Sequence, residues 1–128
     1  MPITTADELS RARLLVTEWA NQLAFGTLER TKLVTAASEL GRNMLVHAGG
    51  GAMTIQELLQ RAISGLRLVF EDKGPGIADM ALAMTDGYST AKSMGLGLGG
   101  ARRLVNEFDI VSAAGQGTRI TVTQWKRR

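Results

Sequence analysis

The sequence predicts an α/β (α+β) two-layer sandwich, in which helices cover one face of a mainly antiparallel, mixed sheet. Two long N-terminal segments carry apolar residues at helical spacing, and residues 66–71 alternate in the manner of a half-buried strand. The order of elements is two helices, two strands, a loop-rich middle, a helix and two further strands. This order favours a sheet with helices on one side.

The two N-terminal helices are predicted at residues 6–24 and 27–48. Thr4 or Thr5 is placed to cap the first, and Asp7 and Glu8 lie in its first turn, where the helix dipole favours anions. The second carries an apolar stripe from Leu33 to Ala48 and ends at three consecutive glycines, 49–51.

Strands are predicted from residue 51 onwards. The stretch "GAMTIQELLQ" suits either a short helix or the first arm of a hairpin, and the glycines before it favour the hairpin. "LRLVFED" at 66–72 is the next strand. A helix is predicted over "LGGARRLVNEF" (98–108), followed by two strands on either side of Gly115-Gln116-Gly117.

Composition limits the possible functions. The 128 residues predict a single domain, 1–128, and 45% hydrophobic with 21% charged residues predicts a packed core. The absence of cysteine excludes disulfides and thiolate metal sites, and fits a reducing cytoplasm. Neither a signal peptide nor an apolar run of about 18 residues is visible, so we expect a cytoplasmic protein without a membrane partner.

The net charge of +3 does not by itself indicate nucleic acid binding. The fifteen basic residues are spread from Arg11 to Arg128, with one tight cluster at residues 126–128, which we interpret as a solvated end. Aromatic residues make up only 5% of the chain, so basic stripes interleaved with stacking rings are absent. We therefore expect no nucleic acid partner.

Glu39 and Asn43 are four residues apart on the second helix and share a face. A carboxylate can accept a proton or orient a nucleophile, and an amide oxygen can ligate Mg²⁺ beside a nucleotide. The pair alone is also typical of a solvated polar face. His47, the only histidine, is expected to be a packed or capping ring without a catalytic role.

Asp72 continues the parity of Leu68 and Phe70, so its carboxylate is expected on the core side at the end of the strand. A carboxylate there needs a donor, and the amino group of adenine is a suitable one. Gly74 and Gly76 let the backbone approach a flat ligand closely. An ordinary turn that begins with aspartate is an equally good interpretation of this motif alone.

Three interpretations compete for "STAKSMGLGLGG" (89–100): a linker, a dinucleotide fingerprint and a phosphate-binding loop. The fingerprint requires a preceding hydrophobic strand, and "DGYSTAKSM" is polar and turn-like. A linker rarely leads directly into an amphipathic helix. Free N–H groups at the start of a helix bind anions, so the phosphate loop is favoured.

In their order and spacing, "ELGRN", "DKGPGI", "GLGLGG" and "GTRI" resemble the N, G1 and G2 boxes and the final strand of the GHKL (Bergerat-fold) ATP-binding superfamily. Each motif is weak alone, but together they cover residues 39–120. "SELGRN", "EDKGPGI", "DGYST" and "GTRITVTQW" are similar to the small bacterial serine/threonine kinases of the anti-sigma and partner-switching group, which includes the stressosome switch kinases. The resemblance implies a Bergerat fold and the cofactors ATP and Mg²⁺.

The resemblance also implies roles for individual residues. Glu39 would activate the acceptor hydroxyl, and Asn43 would ligate Mg²⁺ beside the nucleotide. Asp72 would bind the adenine amino group, Thr118 would support that site, and residues 79–94 would form a lid. The other nucleotide-binding positions it implies are Gly74, Gly76, Ile77, Gly95, Leu96, Gly97, Leu98 and Gly99.

Partners follow from the same resemblance. It implies transfer of the γ-phosphate to serine or threonine of STAS-domain scaffold and antagonist proteins, and activation of a PP2C-type phosphatase. One alternative is a non-catalytic ATP-dependent binding switch, or an anti-sigma factor. Another is the ATP domain of a histidine kinase, although 128 residues leave no room for the helical hairpin that carries a phospho-acceptor histidine.

Overall fold

The computed structural model describes residues 1–75 and 98–127, and within them three helices and five strands. In chain order these are β1 Pro2–Ile3, α1 Ala6–Gln22, α2 Thr27–Ala48, β2 Gly51–Gln60, β3 Ile63–Asp72, α3 Leu98–Leu104, β4 Glu107–Ser112 and β5 Thr118–Trp125. The strands form one antiparallel sheet in the order β1-β2-β3-β5-β4. The predicted sandwich is confirmed. No helix in these ranges is long and apolar enough to span a membrane.

The core lies between the helices and one face of the sheet. Alternate residues of the central strands, among them Leu66, Leu68, Phe70 and Val122, are at most 1% exposed, as the alternation in the sequence predicts. Helix α2 contacts four of the strands, while α1 and α3 pack against its flanks. The buried α2 stripe is therefore the centre of the fold.

The helix ends follow local chemistry. Thr5 caps α1, with its Oγ1 accepting from the N–H of Glu8 at 3.1 Å, so the second of the two predicted caps is the observed one. Helix α1 ends two residues earlier than predicted, because the chain turns through Ala24 at φ 59°. Helix α2 spans the predicted residues, and Gly49 (φ 74°) ends it by donating to the carbonyl of Met44.

The favoured hairpin is confirmed: "GAMTIQELLQ" is strand β2, which pairs with β3 from Ala52 to Gln60. The short strand β1 was not predicted, because two residues show no alternation. Its Ile3 is fully buried and it pairs with the start of β2.

The predicted end of the third helix was wrong. Helix α3 stops at Leu104, and the chain becomes strand β4 at Glu107. The change from helix to strand occurs at Asn106. Its N–H donates to the Oε1 of Gln124 at 2.9 Å, and its Oδ1 accepts from the N–H of Trp125 at 2.7 Å. These bonds to β5 replace the helical ones, and no local sequence pattern reveals them.

The hairpin between β2 and β3 turns through Arg61 and Ala62, with φ of 52° and 65°. Gln60 pairs with Ile63 across this two-residue loop, which is the arrangement in which Asn-Gly is favoured. Residues with a Cβ in the left-handed region cost about 1–2 kcal/mol each. The turn is therefore strained at both central positions.

Candidate functional site

One face of α2 carries Glu39, Asn43 and His47, each one turn from the next. The side chain of Glu39 is 38% exposed, and its Oε1 lies 3.6 Å from a guanidinium nitrogen of Arg42. An ion pair this exposed contributes little energy, so it does not prevent the carboxylate from accepting a proton. The face therefore offers a carboxylate, a carboxamide and an imidazole in a row.

Two polar atoms of this face are buried and find no hydrogen-bond partner among residues 1–75 and 98–127. They are the Nδ2 of Asn43 and the Nε2 of His47. Almost all buried polar groups in native proteins are paired, so these two atoms, one turn apart, can serve a polar ligand on this face of α2. Burial lowers the pKa of His47 below its usual range, so its imidazole is neutral at pH 7.

Asp72 ends strand β3 on the parity of the buried residues. Its Oδ1 accepts from the N–H of Gly74 at 2.9 Å, which closes an Asx turn. Residues 1–75 and 98–127 supply no hydrogen-bond partner for the second carboxylate oxygen. Asp72 therefore keeps one strong acceptor for a donor such as an adenine amino group.

Gly74 packs the turn against the end of α2. A Cβ at this position would lie 2.6 Å from the Cβ of Ala48 and 2.9 Å from its Cα, so a larger residue would push the turn away from the helix. Ala48 lies one turn from Met44 on the buried side of the helix, so this contact brings the Asp72 turn to the C-terminal end of α2.

Strand β5 completes this end of the sheet. Thr118 is the cross-strand neighbour of Asp72, and its Oγ1 lies 2.8 Å from the Oγ of Ser112. The Ser112 hydroxyl also bonds the carbonyl of Gly117 at 3.1 Å. A cavity of about 240 Å³ at this end of the sheet is lined by Asp72, Ser112 and Thr118 and also by Glu71, Val111 and Arg119, which alternate to the face away from the helices. The structure therefore places Thr118 beside Asp72.

Gly117 supports Asp72 by close approach. Its φ is +83°, and a Cβ there would lie 2.2 Å from the carbonyl oxygen of Asp72. Gly115 also has a positive φ, +77°, but a Cβ there would meet nothing within 4 Å. Alanine would be strained by the positive φ at both positions, but it would collide with backbone only at Gly117. Comparing the two substitutions therefore distinguishes backbone strain from the steric collision.

We expect Gly117→Ala to destabilise the fold by about 2–3 kcal/mol more than Gly115→Ala. Both variants carry the left-handed strain of about 1 kcal/mol, but only the first collides with backbone. Urea unfolding monitored by circular dichroism measures the difference. Gly117→Ala is also expected to weaken ATP binding. Equal losses of stability in the two variants would show that the contact with Asp72 is unimportant.

The predicted phosphate loop is only partly visible. Gly76, Ile77, Gly95, Leu96, Gly97 and the predicted lid at 79–94 lie outside the described residues. Leu98 and Gly99 are the first two residues of α3, and the Leu98 side chain is 2% exposed within the core. Leu98 therefore has only its backbone to offer a ligand.

The arrangement fits a nucleotide with Mg²⁺. The described ranges contain no cluster of three His, Asp or Glu side chains able to hold a metal on their own. Mg²⁺ typically takes one or two protein oxygens together with substrate phosphates and water. The Nδ2 of Asn43, a donor without a partner among residues 1–75 and 98–127, suits a phosphate oxygen, and the carboxamide oxygen of the same side chain is the type of ligand that Mg²⁺ accepts.

His47 was predicted to be a packed or capping ring, and its partial burial fits a packed ring; the sequence did not indicate that its Nε2 is available to a ligand. A single histidine gives no ligand pattern, and its place on the Glu39–Asn43 face was the one available signal. The unpaired Nε2 is visible only in three dimensions.

Comparison with known families matches residues 3–124 to the histidine kinase-like ATPase domain. The chain is 42% identical over 125 residues to the serine/threonine-protein kinase RsbT of Bacillus subtilis (strain 168), covering 98% of this chain and 94% of that protein. It is also 32% identical over 119 residues to the anti-sigma F factor of Clostridium novyi (strain NT), covering 87% and 81%.

A solved structure supports the same fold. The histidine kinase domain of the blue-light activated histidine kinase EL346 from Erythrobacter litoralis aligns with a TM-score of 0.51 and 18% identity. The alignment covers 97% of this chain, which spans 61% of that structure.

Proposed function

The chain belongs to the histidine kinase-like ATPase domain family, and we propose that it is a protein serine/threonine kinase of a bacterial partner-switching pathway that uses ATP and Mg²⁺. The observations that support the nucleotide site are the buried atoms of Asn43 and His47, which have no partner among residues 1–75 and 98–127, and the Asp72 turn packed against the end of α2. The similarity to a serine/threonine kinase over 98% of the chain supports the activity.

The residues have separate tasks in this proposal. Asp72 accepts from the adenine amino group, and Thr118 borders the same cavity. Asn43 holds Mg²⁺ through its carboxamide oxygen. Glu39 takes the proton from the hydroxyl of the acceptor protein, which raises the nucleophilicity of that oxygen. When bound, ATP would supply the phosphoryl group and Mg²⁺ would neutralise the charge of the phosphates. The protein's remaining contribution is to position ATP and the acceptor hydroxyl.

The phosphate contacts are assigned to backbone rather than side chains. Gly74, Gly76 and Ile77, which follow Asp72 in the sequence, are assigned to the base, and residues 95–99 are assigned to the phosphates. Peptide N–H groups in such a loop bind phosphate oxygens without side-chain charge.

We assign the acceptors to STAS-domain scaffold and antagonist proteins, and a second output to binding of a PP2C-type phosphatase. The pathway would be the cytoplasmic stress response of the stressosome type. The printed names of the relatives, a serine/threonine kinase and an anti-sigma F factor, support a regulatory switch in general. The lack of cysteine fits a reducing compartment.

An anti-sigma factor, or a switch whose ATP site only sets its binding state, is the second candidate. The 32% identity to an anti-sigma F factor favours it. In this case the main output is capture of a sigma factor, and phosphotransfer is dispensable.

Incubating the protein with radiolabelled ATP, Mg²⁺ and each STAS-domain protein of the same genome tests the proposal. We expect label on one of these proteins, and none when EDTA replaces Mg²⁺. Stable binding of a sigma factor with no labelled STAS-domain protein would support the second candidate instead.

His47 gives a separate prediction. We expect His47→Ala to weaken ATP binding about tenfold, the effect of losing one hydrogen bond to a ligand, and His47→Gln to restore most of it. Titration calorimetry with ATP measures both. If the two variants bind equally, whether tightly or weakly, Nε2 does not contact the nucleotide.

A further inference from the structure

The end of the molecule opposite Asp72 carries a concentration of cations that the nucleotide site does not use. Two concavities of about 280 Å³ and 300 Å³ lie there and share Arg127. We call this region the basic end surface, and its charged residues are Glu29, Lys32, Arg61, Arg103, Lys126 and Arg127.

The charge of this surface is unusual for the chain. Five cations and one carboxylate give it a formal charge of +4, whereas the whole chain carries +3. All the other residues together are therefore net −1. The fifteen basic residues are spread along the sequence, but the fold brings five of them together at this end.

Glu29 does not neutralise the surface. Its side chain is only 11% exposed, and its Oε2 lies 3.6 Å from a guanidinium nitrogen of Arg127, whose side chain is 74% exposed. The carboxylate lies near one guanidinium nitrogen, and most of the Arg127 side chain remains in solvent. Arg61 and Lys126 have no ion pair within the described ranges, so their charges are available to a partner.

The position of Arg61 adds an independent observation. It occupies a left-handed turn position, φ 52°, where asparagine or glycine would be relaxed. Residues in such conformations concentrate at functional sites. The turn thus places the Arg61 charge on the rim of a concavity, in a position that asparagine or glycine would occupy with less strain.

Apolar surface borders the cations. Leu59, next to the same turn, is 75% exposed, and Ile63 lines the concavity with Arg61. Large apolar side chains this exposed, next to a charged hollow, are typical of protein contacts. Stacking with the bases of a single strand would need exposed aromatic rings, but the indole N–H of Trp125 is held by Glu107 at 2.6 Å and its ring lies against Gly65.

We propose that the basic end surface binds an acidic, partly apolar segment of a partner protein. Strand β3 runs between the surface and Asp72, and its ten residues span about 30 Å at the usual rise. A partner can therefore occupy this surface while the nucleotide site stays open. The inference depends on surface charge and shape, and not on the assignment of kinase activity.

A fluorescein-labelled peptide of glutamate and leucine is the probe, titrated with the full chain and followed by anisotropy. We expect saturable binding that weakens as NaCl rises from about 50 to about 200 mM. The double variant Arg61→Glu/Lys126→Glu is expected to bind at least about tenfold more weakly, because two attractive charges become repulsive. Arg11→Glu/Arg13→Glu on α1 is the matched control with the same net charge, and we expect it to bind within about twofold of the parent.

Arg61→Asn separates binding from folding. Asparagine suits the left-handed turn, so this variant is expected to melt no earlier than the parent and still to bind the peptide more weakly. Three results would overturn the proposal: no saturable binding, equal weakening by the two double variants, or tighter binding of a DNA duplex that also depends on Arg61 and Lys126. A kinase that fails to phosphorylate STAS-domain proteins would leave all of these readouts unchanged.

Discussion

Asp72→Asn is expected to weaken ATP binding by one to two orders of magnitude, since a hydrogen bond to a charged group contributes about 1.5–3 kcal/mol. Oδ1 of Asp72 is already engaged by the N–H of Gly74 at 2.9 Å. If asparagine keeps that bond with its carbonyl oxygen, its NH₂ group takes the place of the second carboxylate oxygen. A donor then faces the adenine amino group, which is also a donor.

The same geometry predicts that Asp72→Asn changes which nucleotide binds more tightly, in addition to weakening ATP binding. Inosine triphosphate carries a carbonyl in place of the adenine amino group, so the asparagine NH₂ can donate to it. We expect Asp72→Asn to bind ITP more tightly than ATP, the reverse of the parent. Calorimetric titration with both nucleotides measures this, with Asp109→Asn on the exposed part of β4 as control. If Asp72→Asn still prefers ATP, Asp72 does not contact the base.

Glu39→Gln is expected to remove phosphotransfer while leaving ATP binding nearly intact. A positioned general base contributes about 10²–10⁴-fold to rate, and glutamine cannot accept the hydroxyl proton. The Glu39 side chain is 38% exposed, and within residues 1–75 and 98–127 its one polar contact is the ion pair with Arg42, so the amide is accommodated there without repacking. Single-turnover transfer measures the rate, and calorimetry measures ATP affinity.

Glu18→Gln, an exposed change on α1, is the control for the loss of one negative charge. If Glu39→Gln transfers phosphate as fast as the parent, Glu39 is not the base. If it transfers none and the protein still captures its partner fully, the main output is binding, as in the anti-sigma candidate.

Much of the fold could be predicted because its signals are local. The apolar stripe of α2 and the alternation around Leu68 depend on helix and strand periods that the sequence displays directly. The end of α3 could not be predicted, because Asn106 leaves the helix for bonds with Gln124 and Trp125, residues far along the chain. Strand β1 also could not be predicted, because its two residues are recognisable as a strand through their pairing with β2, which is distant in the sequence.

The candidate site also combines features that the local sequence indicates with features that depend on contacts between distant residues. Glu39, Asn43 and Asp72 were predicted from residue type and spacing, and the structure brings the helix and the Asp72 turn together through Gly74 and Ala48. The unpaired Nε2 of His47 and the contact of Gly117 with the Asp72 carbonyl depend on which atoms meet in space. The gathering of cations around Arg127 likewise comes from the topology of the sheet.

The most direct test of the kinase assignment is the chemical nature of the phosphorylated product. The STAS-domain protein labelled by this chain is treated with acid before electrophoresis, because phosphoserine and phosphothreonine survive acid whereas phosphohistidine and phosphoaspartate do not. We expect acid-stable label that Glu39→Gln fails to produce. Acid-labile label, or acid-stable label formed equally by Glu39→Gln, would contradict the account.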